Sequence, residues 1–263
     1  MKHAFAGAAL AALAAATPAA AVPYAWTDWQ SQTATGGVTV EGEITTDTAT
    51  VGVTYNNPVG IGFAQLSGGT DYWQNNTGGR NDAISPYTSL ANPLLTNPSP
   101  GVDNSPTGTD IIALRYAGLQ TLTFTEAVAN PVFAFVSLNG NGYAFDQDFE
   151  ILSCTRCNID GAGNDSDGYY GGSNSTQKTV VETSPGVFEY RLISNDGEPH
   201  GTIRFIGSFS TLTWRSLSNE YWNGFTVGIQ GTAEEVFSDV PLPAGAGLLV
   251  AGLAGFGLVR RRG

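Results

Sequence analysis

The chain has 263 residues, with 23 acidic side chains against 11 basic ones and a formal net charge of −12. Lys2 and Arg260 to Arg262 supply four of the basic residues, so the stretch between the two ends holds seven against 23 and carries −16. So acidic a surface, with no cationic patch, repels phosphate backbones and argues against nucleic acid as a partner. Abundant Gly, Thr, Ser and Asn weigh against helices, and the ordinary apolar and aromatic content implies a packed core rather than disorder.

Residues 1–21 read as a secretory signal peptide. Lys2 and His3 form a short basic start, residues 4–16 are almost wholly apolar, and Pro18 precedes small residues ending at Ala21. A signal peptidase would cut after Ala21. The segment 22–239 has the length of one all-β domain.

In chain order, 38–44 and 49–55 alternate apolar and polar residues, the period of a half-buried strand, and 61–66 is a third candidate. From 67 to 109 the pattern breaks. Pro86, Pro93, Pro98, Pro100 and Pro106 would interrupt any ladder there. A loop so long in a compact domain is either a functional excursion or partly ordered by Tyr72, Trp73, Tyr87 and Leu90. Strand signals then recur at 111–116, 121–125, 132–138, 143–152, 179–183, 188–193, 202–206, 211–214 and 225–229. Turn-forming residues separate nearly all of them. The series predicts a single antiparallel β-sandwich of jelly-roll type.

The loops offer a few chemical candidates. Cys154 and Cys157 are the only cysteines. In an exported chain they are expected to form a local disulfide, with free thiols as the alternative. Two thiols do not complete a zinc site. Asp160, Asn164, Asp165 and Asp167 crowd oxygen ligands ahead of Gly168, a pattern open to calcium or to plain turns. Asp146, Asp148 and Glu150 fall at i, i+2 and i+4 of the strand expected over 143–152, hence on one face. Such a face is either a carboxylate pair for glycoside hydrolysis or a solvated exterior. With His200 the only imidazole between the two ends, a Ser-His-Asp triad has no support, and no residue set stands out as catalytic. Tyr72-Trp73, Tyr169-Tyr170 and Tyr221-Trp222 sit beside loops, where aromatic rings stack on sugars or fold back as small cores.

At the far end, residues 244–259 are uncharged and Arg260, Arg261 and Arg262 come directly after them. Sixteen helical residues span about 24 Å, short for a bilayer but extended if Leu242 and Pro243 join. The arginines would hold that end in the cytoplasm. Val240-Pro241-Leu242-Pro243-Ala244, an apolar Gly/Leu-rich segment and the arginine cluster together resemble the VPLPA variant of the PEP-CTERM sorting signal. This chain carries Leu242 where the better-known form has glutamate. The resemblance covers 240–263 and implies a transmembrane sorting helix. It also implies passage through the inner membrane of a Gram-negative bacterium and processing by an exosortase-type enzyme. Residues 133–138, 145–149 and 222–229 are similar to stretches of other exported β proteins bearing that signal.

The sequence therefore leads to an expectation of a surface-anchored, non-enzymatic module of the cell envelope or extracellular matrix that contacts polysaccharide. The alternatives are a secreted carbohydrate-active enzyme using Asp146, Asp148 and Glu150, and a calcium-dependent adhesive domain.

Overall fold

The computed structural model describes residues 23–73, 104–138, 140–154, 176–194 and 199–238. In chain order the strands begin with β1 (Ala25–Trp26), β2 (Asp28–Thr33), β3 (Val38–Thr45), β4 (Thr50–Asn57) and β5 (Phe63–Gln65). Next come β6 (Ile111–Leu114), β7 (Gly118–Ala129), β8 (Val132–Val136), β9 (Gly142–Phe145) and β10 (Phe149–Cys154). The last are β11 (Thr176–Ser184), β12 (Val187–Ser194), β13 (Gly201–Phe205), β14 (Ser208–Ser216) and β15 (Asn223–Ile229), with one short helix, α1 (Ala233–Ser238), after them.

They form two antiparallel sheets. One runs β10-β13-β8-β15-β6-β5 with β1 added beside β15, and the other runs β11-β12-β9-β14-β7-β4-β3-β2. From β6 onward the chain crosses between sheets at nearly every connection, and its first half pairs with its second half in reverse order. Thus β6 lies on β15, β7 on β14, β8 on β13 and β9 on β12. Two crossings are bonded to each other: Asn130 and Gly207 exchange hydrogen bonds of 2.8 Å, one backbone to backbone and one from the Gly207 N–H to Asn130 Oδ1. Both residues have positive φ, 45° and 129°, which Asn and Gly tolerate best.

The core fills the space between the sheets. Phe133 stacks on Phe225 at 4.8 Å within one sheet and meets Tyr143, Phe145 and Trp214 of the other edge-on at 5.3 to 5.7 Å. Each such ring contributes about 1.5–3 kcal/mol by burial, with a further ~0.5–1.5 from pair geometry. Some of the buried polar groups bond one another. Tyr55 Oη donates to Gln120 and accepts from Asn57, while Trp29 Nε1 donates to Thr226 of β15.

The seven-stranded sheet has a second, outward-facing apolar layer. Trp73 packs with Ile111, Ala134 and Val136, flanked by Trp26, Phe63, Tyr72 and Trp222. Ser153 Oγ bonds Asn104 Oδ1 at 2.9 Å in the same region. Both described ends of the segment expected as an irregular loop therefore dock on this sheet, one through Tyr72 and Trp73 and the other through Asn104, while Tyr87 and Leu90 lie outside the described residues.

One expected strand is corrected. Residues 143–152 do not run straight: β9 ends at Phe145 in the eight-stranded sheet, and β10 begins at Phe149 in the other. Four residues of continuous strand cover about 13 Å. Phe145 and Phe149, with ring centroids 5.6 Å apart, both belong to one core, so the chain has to turn between them.

Candidate functional site

That turn disperses Asp146, Asp148 and Glu150. Asp148 caps the start of β10, accepting the Phe149 N–H at 2.7 Å, and pairs with Lys178 of β11. Glu150 lies opposite Arg204 of β13 and binds its guanidinium at 2.7 Å. Only Asp146 stays with the eight-stranded sheet. The three carboxylates share no face, and two are neutralised by cations from different sheets.

Asp146 instead lines a cleft of about 190 Å³ on the outer side of that sheet. Strand register explains its composition. Arg215, Ala144 and Arg191 form one cross-strand row, with Leu119 beside Arg215. Asp146 and Glu189 each lie two residues along on the same face, at i+2 from Ala144 and i−2 from Arg191. Arg215 reaches Glu189 two strands away and so passes over Ala144, whose methyl group is small enough to allow it. Arg191 grips the other Glu189 oxygen at 2.6 Å. Leu119, Val187 and Phe188 line the cleft and stay about half exposed, at 51%, 54% and 46%.

The two carboxyls titrate in opposite directions. Burial pushes Asp146 up, only partly offset by hydrogen bonds from its own backbone N–H and from Gln147. Burial also acts upward on Glu189, but hydrogen bonds and charge from Arg215 and Arg191 outweigh it and hold that carboxyl low. Chemically the cleft offers fixed acceptors and a half-exposed guanidinium between apolar walls.

The ends of the sandwich differ. Ala25 pairs with Ile229, and Pro23, Tyr24 and Gln230 share a hollow with Thr45 to Thr48, which α1 approaches through Glu235 and Thr48. Both termini of the described domain thus emerge at one pole. At the other end of β15, three connections meet: Gly60 beside Tyr116, Val59 beside Gly118, and Glu220 donating its N–H to the Arg115 carbonyl. Exposed apolar side chains gather there, Val59, Tyr116 and Tyr221, the last 83% exposed. Of the aromatic pairs, Trp73 is fully buried, Trp222 packs on Tyr72 at 5.1 Å, and Tyr221 points outward. Tyr169 and Tyr170 lie outside the described residues.

His200 is buried, and the Ser137 N–H points at its Nδ1 from 3.4 Å. Asp110 is a group the sequence did not mark. It accepts the Trp29 backbone N–H at 2.8 Å, and burial together with nearby Asp28 raises its carboxyl to about 6.

Cys157, the calcium candidates Asp160, Asn164, Asp165 and Asp167, the signal peptide and residues 240–263 all lie outside the described residues. Among the described residues no three His, Cys, Asp or Glu side chains gather where a metal could sit, and no helix is long and apolar enough to cross a membrane. Glu189, Arg191 and Arg215 went unnoticed in the sequence because each is an ordinary strand residue until β9 and β14 are laid beside β12. No family model, no curated protein and no solved structure matches the chain.

Proposed function

We propose that this chain is an exported, surface-anchored and non-enzymatic β-sandwich module of jelly-roll type, contacting polysaccharide in a Gram-negative envelope or matrix. The reversed pairing of β6 to β9 with β12 to β15 supports the jelly-roll assignment. The targeting reading rests on the signal-like first 21 residues and on Val240, Pro241, Leu242, Pro243, Ala244 and the arginines Arg260 to Arg262. Signal peptidase and an exosortase-type enzyme are its processing partners, with calcium a candidate ligand of the loop around Asp165.

The observation that carries display is the convergence of both domain ends at one pole, with Tyr116 and Tyr221 exposed at the other. A module tethered by its C-terminal segment then presents that far pole outward. In a Gram-negative host, Tyr221→Cys in the full chain is expected to react with a membrane-impermeant maleimide on intact cells. Recovery of unlabelled protein in the cytosol with residues 1–21 still attached would defeat the proposal.

A second reading, a carbohydrate-active enzyme, draws on the divergent titration of Asp146 and Glu189, the split needed by an acid and its partner. The double arginine clamp on Glu189 argues against it, since a clamped carboxylate is a poor nucleophile or base. Release of reducing sugar from any neutral polysaccharide, lost in Asp146→Asn, would favour the enzyme.

A further inference from the structure

We propose that the cleft between Leu119, Arg215, Asp146 and Phe188 is the polysaccharide subsite, and that it seats a single neutral pyranose residue of a longer chain. The inference rests on the polysaccharide reading above and adds its location and ligand class.

Three features converge on this ligand. First, a sugar presents hydroxyls that donate and accept side by side, above C–H faces that behave as apolar surface. The cleft has the matching surfaces: Asp146 and Glu189 accept, Arg215 donates, and Leu119 and Phe188 supply half-exposed apolar contact. Second, the polar groups are already held. Glu189 is bonded on both oxygens, by Arg191 at one and Arg215 at the other, so little side-chain freedom remains to be lost when a ligand arrives. Third, the local charge is balanced. In a chain so acidic, two arginines meet two carboxylates here, which leaves neither the excess cation an acidic sugar or phosphate needs nor an anionic wall against a neutral one. The cleft volume of about 190 Å³ has room for one ring rather than several, and its position on an outer sheet face lets the remaining polymer run on in either direction.

The test uses the full chain purified in mild detergent and immobilised polysaccharides: dextran, laminarin, galactomannan and xylan as neutral probes, alginate and polygalacturonate as acidic ones. At least one neutral probe is expected to retain the wild-type chain. Arg215→Ala and Asp146→Asn should each weaken retention by about tenfold or more, the loss expected for one hydrogen bond to a charged group. Leu119→Ser, an exposed change that leaves the polar set intact, should weaken it several-fold, and Ile206→Ser, an exposed change in the connection between β13 and β14, should leave it unchanged. Circular dichroism melts identify any variant that has lost its fold, and Leu119→Ser keeps the test decisive if Arg215→Ala is one. Wild-type binding undiminished in all three cleft variants would overturn the subsite while sparing the polysaccharide reading. Retention only on the acidic probes would overturn the neutral ligand. Wild-type failure on every probe would remove the polysaccharide reading itself.

Discussion

The outer faces of the two sheets are built on different terms. In the seven-stranded sheet β6, β8 and β15 are buried at every position, so β6 and β8, the latter Val-Phe-Ala-Phe-Val, are continuously apolar, while in β15 Asn223 and Thr226 are hydrogen-bonded. In the eight-stranded sheet β7 and β14 alternate, with Thr, Leu119, Arg215 and other side chains reaching water. One outer face carries a second core under Trp73, and the other reaches water. A dry face is committed to stability and a wet one is available for chemistry, which is why the cleft lies where it does.

This contrast can be broken by mutation. Phe133→Ala, at the centre of the inner core, should cost about 3–5 kcal/mol in urea unfolding. Trp73→Ala should fall near the lower end of that same ~3–5 kcal/mol range if the outer layer is a true core, and a change below about 1 kcal/mol would show that it is not. Glu189→Gln on the wet face should cost about 1 kcal/mol or less, because its partners are partly solvated. Its stabilising effect is fully present above the ordinary glutamate range and is lost as pH falls through the lowered value. The wild-type chain should therefore lose more stability on acidification than the variant. Asp110 behaves with the opposite sign. Its raised carboxyl binds a proton more tightly folded than unfolded, so its contribution declines as pH rises from about 4 to about 6. Asp110→Asn should flatten that slope in melts across the window, and an unchanged slope would mean that other groups control it. Smallest of all, Leu119→Ala should shift stability by no more than about 0.5 kcal/mol, as exposed positions usually do.

Much of the architecture was legible in the sequence, for reasons visible in particular segments. β3 and β4 alternate cleanly because each has one face on the core, and β8 is apolar throughout because both its faces are covered. β2 escaped notice since Trp29 is its one buried residue among exposed polar neighbours. The six residues of α1 are too few to display a helical period. The one local mark of the turn between Phe145 and Phe149 was Gln147, a polar residue where a straight alternating strand calls for an apolar one.

From its residues alone this protein reads as an all-β chain with aromatic residues enough for a core and an acidic balance of charge. These properties stem from side-chain period and composition, which act locally. Which sheet each strand joins, and that Arg215 reaches over Ala144 to Glu189, emerged only in three dimensions. They depend on pairing strands far apart in the chain, and register between distant strands is set by how the whole core packs.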